Sequence, residues 1–386
     1  GNSGYSGDLA IKDGKIVKIG KLENLQAQNT IDASGNVVCP GFIDIHAHSD
    51  LAIINNPKHE PKIMQGVTTE AFSNCGLGFA PVKSDTLKIL QNRILSLFGE
   101  TDNVNWNWRS VEEYLDVIQQ NGAAINIAYL VPHMALRTYV MGMQKRPANS
   151  DEIDRMCELL RDGLEAGAFG MSSGLWYAPM CYSEKNESIA LAKIVAEYDG
   201  LYSVHMRDYN ENIEDAVSEV ISIAEKSGAR LQLSHLAAVG EANHGRSGEY
   251  LGWLDEARNK GIDVMCDSYP YLAGSTLLSE MLPDWAKAGE PDDILQRLKD
   301  ENIRPKIIQE LSNSQLDWAK AYVCSVKTEV NKKYDHIVED AKSEVQNLKD
   351  KIMNELVDAY IKAILDEFDT KRSVSEYSLT ERFKQF

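Results

Sequence analysis

Between residues 41 and 285 short apolar runs alternate with stretches whose apolar positions recur every three or four residues. The short runs predict strands at 42–48 (FIDIHAH), 68–74 (TTEAFSN), 125–131 (INIAYLV), 168–173 (AFGMSS), 201–206 (LYSVHM), 230–236 (RLQLSHL) and 262–269 (IDVMCDSY). The intervening stretches predict amphipathic helices, among them VEEYLDVIQQ, EIDRMCELLRDGLEAG, IEDAVSEVISIAEKSG and YLGWLDEARNKG. Several of these end at Gly, as a helix C-terminus favours. Strands alternating with helices imply a parallel sheet. Seven such units approach the eight of a TIM-like (β/α)8 barrel, so the fold class is α/β with seven strands visible and the eighth not found.

The flanks differ. In residues 1–40, DLAIKDGKIVKIG reads as a hairpin turning at Asp13-Gly14, and TIDASGNVVCPG repeats the pattern around a Ser-Gly-Asn turn. This predicts part of a small β-sandwich, entered after its first strand. All 26 Gly and all 11 Pro lie at or before Pro305, so residues 306–386 form a third zone. Apolar residues at 338, 341, 345, 348 and 352 predict a long amphipathic helix there. The expected organisation is therefore 1–40, 41–305 (the barrel) and 306–386 (an insertion-like segment and helical tail).

Composition narrows the function classes. A net charge of −18 without a Lys/Arg cluster argues against a nucleic-acid partner. No apolar run reaches the ~18 residues of a membrane span, and the opening GNSGYSGD is unlike a signal peptide. Six scattered cysteines in a large chain suit reduced thiols, hence a cytoplasmic setting. The expected partner is a small molecule, with homo-oligomerisation left open.

Metal-type side chains gather near the C-terminal ends of the predicted strands. His46 and His48 end the first, Cys75 follows the second, His205 ends the fifth and His235 the sixth. In such a barrel these ends share one face, where active sites sit. Imidazole and thiolate donors together suit zinc. Alternation places His46 and His48 on one side of their strand. Arg207, two residues past His205, is available for a substrate carboxylate or a structural ion pair. His133 is placed to support the site or to pack. His59, His244 and His336 read as surface.

PGFIDIHAHSD resembles the first-strand signature of the amidohydrolase superfamily. Members usually bridge two metals with a carboxylated Lys on strand four, but AFGMSSGLWYAP has no Lys. The Cys in QGVTTEAFSNCG, with GLWYAP, SVHMRD, LSHL and DSYPYLAGST, makes the chain similar to the D-aminoacylases (N-acyl-D-amino-acid deacylases) over roughly residues 4–330. The resemblance implies a tight zinc on Cys75, His205 and His235, with a weaker second position near His46 and His48. It implies substrate contacts from Tyr177, Tyr269 and Ser275. The implied reaction is zinc-dependent hydrolysis of the linear amide of N-acyl-D-amino acids.

Two positions depart from the family pattern. Ala237 stands where the family has a Lys that helps hold the substrate carboxylate. The family's catalytic Asp ends strand eight in a Ser-Asp-Gly context that this chain lacks, so the catalytic residue is unassigned. The nearest late strand-like stretch is 321–329, and Asp335 is the one tail Asp in a loop setting. The pattern is lost near residue 330, so the chain reads as truncated at both ends. The alternatives are a catalytically impaired metal-binding remnant serving as a binding or assembly protein, and an amidohydrolase acting on cyclic amides.

Overall fold

A computed structural model describes residues 4–313, except 23, 24, 100, 102 and 272. The predicted tail helix, the stretch 321–329, Asp335 and His336 lie outside the described residues.

The chain divides into two compact units, 1–41 and 42 onward. In the first unit β1 (Asp8–Lys12) and β2 (Lys15–Gly20) pair antiparallel. Asp13 and Gly14 both take positive φ, 51° and 71°, the backbone of a tight primed turn. The second hairpin expected in 29–40 is not formed. That segment has no strand, only a turn closed by Asn36 N donating to Ala33 O, and Ile31, Val37 and Val38 are exposed. Alternation alone does not make a strand when no ladder partner is at hand.

Among the described residues the second unit has seven strands: β3 (Phe42–Asp44), β4 (Val67–Phe72), β5 (Asn126–Pro132), β6 (Gly170–Gly174), β7 (Leu201–His205), β8 (Arg230–Leu233) and β9 (Val264–Cys266). Each pairs parallel with the next in sequence order, β3 through β9. The connections carry helices, including Val111–Asn121, Ser150–Glu165, Ile213–Ser227 and Ser247–Asn259. This is the α/β, TIM-like arrangement, with seven strands of the sheet among the described residues.

Local sequence sets the helix ends. Ser110 and Glu113 form a reciprocal capping box, as do Asn149 and Glu152. Gly228 closes Ile213–Ser227 in the left-handed conformation. The helix faces bury Met156, Leu160, Val217, Val220 and Leu254 against strand residues such as Val131, Met171 and Val204, forming one continuous core. Its polar groups are paired: Trp108 Nε1 donates to Phe79 O (2.7 Å), Tyr114 OH to Asp50 O (2.7 Å) and Tyr129 OH to Ala80 O (2.9 Å).

Candidate metal centre

The C-terminal ends of β3, β4, β7 and β8 deliver the candidate ligands. The β3 ladder stops at Asp44, whose Oδ1 accepts from His46 N (3.1 Å). Beyond it the chain keeps one bond to β4, Ala47 N donating to Ala71 O (3.1 Å), and presents His46. Beyond β4, Ser73 and Cys75 take positive φ of 62° and 57°, and past β8 His235 takes 38°. Non-glycine residues rarely adopt this region, and held strain of this kind clusters at functional sites. Gly174 makes the close approach possible, because a Cβ there would lie 2.1 Å from Cys75 O.

His46, Cys75 and His235 place one ligand atom each within 4.8 Å of one another. Cys75 Sγ lies 3.4 Å from His46 Nε2 and 3.5 Å from His235 Nε2. His205 Nδ1 lies 2.9 Å from His235 Nε2. The resemblance grouped Cys75, His205 and His235 as the tight set with His46 in the looser one. In the structure His46 joins the Cys75–His235 cluster directly, and His205 meets both Cys75 and His235. The His48 ring centroid is 5.6 Å from that of His46, beside Phe98 and outside the cluster.

Electrostatics favour the ligand form of the sulfur. Burial alone would push the Cys75 thiol up, but His46, His235 and hydrogen bonding from His205 hold it well below its usual range. Burial likewise opposes a charge on His46, yet Cys75 and Asp267 raise it to about 10. Burial and the neighbouring His235 depress His205 to about 4. The centre gathers one sulfur, favoured toward its charged form, with the rings of His46, His205 and His235. His48 Nδ1 and His205 Nε2 are buried without a hydrogen-bond partner. Converging thiolate and imidazole donors with unpartnered ring nitrogens are the donor chemistry that zinc takes.

Asp267, one residue past β9, escaped the sequence reading. Its Oδ1 accepts from His235 N (2.7 Å) and lies 3.0 Å from His46 Nδ1, within ion-pair distance. Its Oδ2 accepts from Gln232 Nε2 (2.8 Å). One carboxylate thus fixes the backbone of one candidate ligand and the ring of another. The available signal was an acid placed just beyond a strand's C-terminal end.

The other candidates separate. Tyr177 is buried, its ring 4.7 Å from that of His205 and its OH 3.1 Å from Thr276 Oγ1. Tyr269 is half-exposed, its ring 6.3 Å from that of His235. Ser275 is exposed, and its neighbour Thr276 makes the contact to Tyr177. Arg207 is committed elsewhere: Nε and Nη2 donate to Glu219 (3.1 Å each), Nη1 to Leu175 O and Cys181 O, and Nη2 to Ser183 O. All five donors are used, so the ion-pair reading describes it and the substrate-carboxylate reading does not.

His133 is fully buried, and its partners are not members of the cluster. Nδ1 is 2.8 Å from Ser173 Oγ, and Nε2 is 2.8 Å from Glu187 Oε1. His59, expected at the surface, is buried with Nε2 3.0 Å from Glu70 Oε2. His244 is exposed as expected.

Comparison with known proteins follows the same lines. Residues 29–295 match the amidohydrolase family. The chain is 35% identical over 277 residues to a D-aminoacylase of Alcaligenes xylosoxydans xylosoxydans, covering 72% of this chain and 56% of that protein. It is 35% identical over 287 residues to an N-acyl-D-glutamate deacylase of the same organism, covering 74% and 56%. The chain therefore spans about half the length of these curated relatives. A D-aminoacylase crystal structure, described as defining a novel subset of amidohydrolases, matches with a TM-score of 0.65 at 34% identity, over 72% of this chain and 57% of that one. An N-acyl-D-glutamate deacylase from Bordetella bronchiseptica, solved with zinc and a phosphonate inhibitor, matches with a TM-score of 0.63 at 33% identity, over 75% and 63%. With strands, thiolate–imidazole cluster and sequence all in agreement, the chain belongs to the amidohydrolase family.

Proposed function

We propose that the centre holds zinc and that the chain carries out hydrolysis of the linear amide bond of N-acyl-D-amino acids, releasing a carboxylate and a D-amino acid. The observation that carries this reading is the convergence of Cys75, His46 and His235 within 4.8 Å. Those three residues would hold the ion, with His205 against His235 and His48 beside His46. One tight position at Cys75 and a second, weaker one fit a cluster that has more imidazoles than one tetrahedral ion takes. When bound, zinc supplies a Lewis acid and lowers the pKa of a water toward neutrality. Tyr269, half-exposed beside His235, offers a hydroxyl that could meet developing negative charge on a substrate oxygen. Tyr177, closed off by Thr276, shapes the wall next to His205. The relatives named for D-amino acid and D-glutamate substrates support the acyl-D-amino-acid class.

The test is elemental analysis of protein purified without chelator, with the same sample assayed on N-acetyl-D-methionine. Stoichiometric zinc with turnover supports the reading. Stoichiometric zinc with no turnover on any N-acyl-D-amino acid supports a metal-binding remnant instead. Unchanged zinc content in Cys75→Ala would overturn the ligand assignment.

A further inference from the structure

The segment after β9 grips the loop after β6 at four places. Thr276 Oγ1 meets Tyr177 OH (3.1 Å), Glu280 Oε2 accepts from Ala178 N (3.1 Å), Lys287 Nζ donates to Trp176 O (2.8 Å), and Asp284 O accepts from Tyr182 OH (2.8 Å). At the centre of this grip is a buried ionic cluster. Arg93, Glu280 and Lys287 are each at most 2% exposed. Arg93 Nη2 donates to Glu280 Oε1 (2.6 Å) and to Lys287 O (3.1 Å). Lys287 Nζ reaches Asp284 Oδ1 at 2.8 Å and Glu280 Oε2 at 4.0 Å, and sits 5.4 Å from the centroid of the Trp176 ring.

The gripped loop is the jaw that holds His205. The Trp176 ring lies within 8° of parallel to the His205 imidazole at 5.8 Å, and Tyr177 approaches the same imidazole at 4.7 Å. Leu175 N donates to His205 O (2.9 Å), so ring and backbone are held from one loop. A buried ammonium is costly unless it is well partnered. Here its partners are the carboxylates of Asp284 and Glu280, the Trp176 carbonyl and the Trp176 indole face, and the last two belong to the jaw.

We infer that Lys287 and Glu280 are positioning residues for the metal centre. They fix the Trp176–Tyr177 jaw and, through it, the orientation of the His205 imidazole toward His235. Outer contacts of this kind orient ligands and tune metal affinity, typically by about 10- to 100-fold. The affinity part rests on the reading of the centre as a metal site. The placement of His205 does not.

The experiment uses the full chain with histidine-selective isotope labelling, first without metal. The His205 ring signal is assigned by its loss in His205→Gln. It carries ring-current shifts from Trp176 and Tyr177, so it reports the jaw directly. Lys287→Met is expected to displace this signal and leave the His244 signal in place. Asp284→Asn removes the charge of a largely exposed partner of Lys287 and is expected to move the same signal less. In cobalt-loaded protein Lys287→Met is expected to bind the metal about tenfold or more weakly and to change the thiolate charge-transfer band. A lower unfolding midpoint with an unmoved His205 signal in both variants would overturn the inference, leaving the cluster a structural one. Failure of the unsubstituted chain to take up cobalt, with the His205 signal still displaced in the variants, would refute the metal reading and leave the positioning role standing.

Discussion

Asp267 gives the sharpest test of how the centre is built. Its three contacts reach His46, His235 and Gln232, and the side chain is 11% exposed. Burial alone would raise its pKa, but the His46 contacts and the donors from Gln232 and His235 N hold the carboxyl below its ordinary value. It is therefore ionised at neutral pH. Asp267→Asn keeps one oxygen for His235 N and loses the charge facing His46. Loss of such an outer partner costs about 10- to 100-fold in metal affinity, which is about 1.4–2.8 kcal/mol. Asp267→Ala also strands His235 N, adding about 1–3 kcal/mol for an unpaired buried donor. The assay is competition for zinc against a chromophoric chelator at pH 7, with far-UV circular dichroism as the check on folding. The expected order of affinity is unsubstituted chain, then Asn, then Ala. A folded Asp267→Asn with affinity within about twofold of the parent falls well short of that loss and would refute the argument.

Three further outcomes follow from buried groups. Asp50 is fully buried, accepts a hydrogen bond from Ser73 and leaves Oδ2 unpartnered; burial raises it from 3.8 to about 6 despite Ser73 and His48. The folded state thus holds the proton more tightly than the unfolded chain. Metal-free stability should fall as pH rises from about 4 to 6, by up to about 3 kcal/mol, and denaturant titrations of Asp50→Asn should lack that decline. A parallel decline in both proteins refutes the assignment to Asp50. Glu187 accepts from Arg137 Nη1 and His133 Nε2, all three fully buried. Glu187→Ala should cost about 3–5 kcal/mol by leaving the guanidinium uncompensated, and a loss below about 1 kcal/mol in urea unfolding would contradict this. Gly174→Ala should lower bound metal while the helices persist, because its Cβ would strike Cys75 O and lie 2.8 Å from Tyr177 Cδ2. Full metal occupancy in that variant would show that the approach can relax.

All seven barrel strands were legible because each is a short apolar run between helical periods. The ends were less so. FIDIHAH alternates through residue 48, yet the ladder stops at Asp44, where the side chain takes His46 N. The pattern records which residues are apolar, and His46 and His48 are not, so the alternation says nothing about where pairing ends. The hairpin at 8–20 was legible from its Asp-Gly turn, and the segment 29–40 shows that a turn motif without a neighbouring strand is insufficient. The helix ends at Ser110, Asn149 and Gly228 followed capping rules that need only local sequence.

The site divides along the same line. Residue type and strand end sufficed to nominate His46, Cys75, His205 and His235, since thiol and imidazole at the same end of four strands have few structural reasons to coincide. Their grouping needed distances that no spacing carries, which is why His46 moved into the Cys75–His235 cluster. Arg207 was expected to share a strand face with His205, but β7 ends at His205 and its partners are Glu219 and the carbonyls of residues 175–183, twelve or more positions away. Asp267 was hidden because its role depends on β8 and β9 lying side by side. The left-handed backbone at Ser73, Cys75 and His235 left no trace either, because none is Gly or Asn. Strain of about 1–3 kcal/mol at such a position persists only where neighbours over-determine it. Here Gly76 N donates to Ser172 Oγ (2.9 Å) and His235 N to Asp267. At these positions side-chain chemistry has overruled backbone preference, which is the physical reason a reading from local preference stops at the edge of the centre.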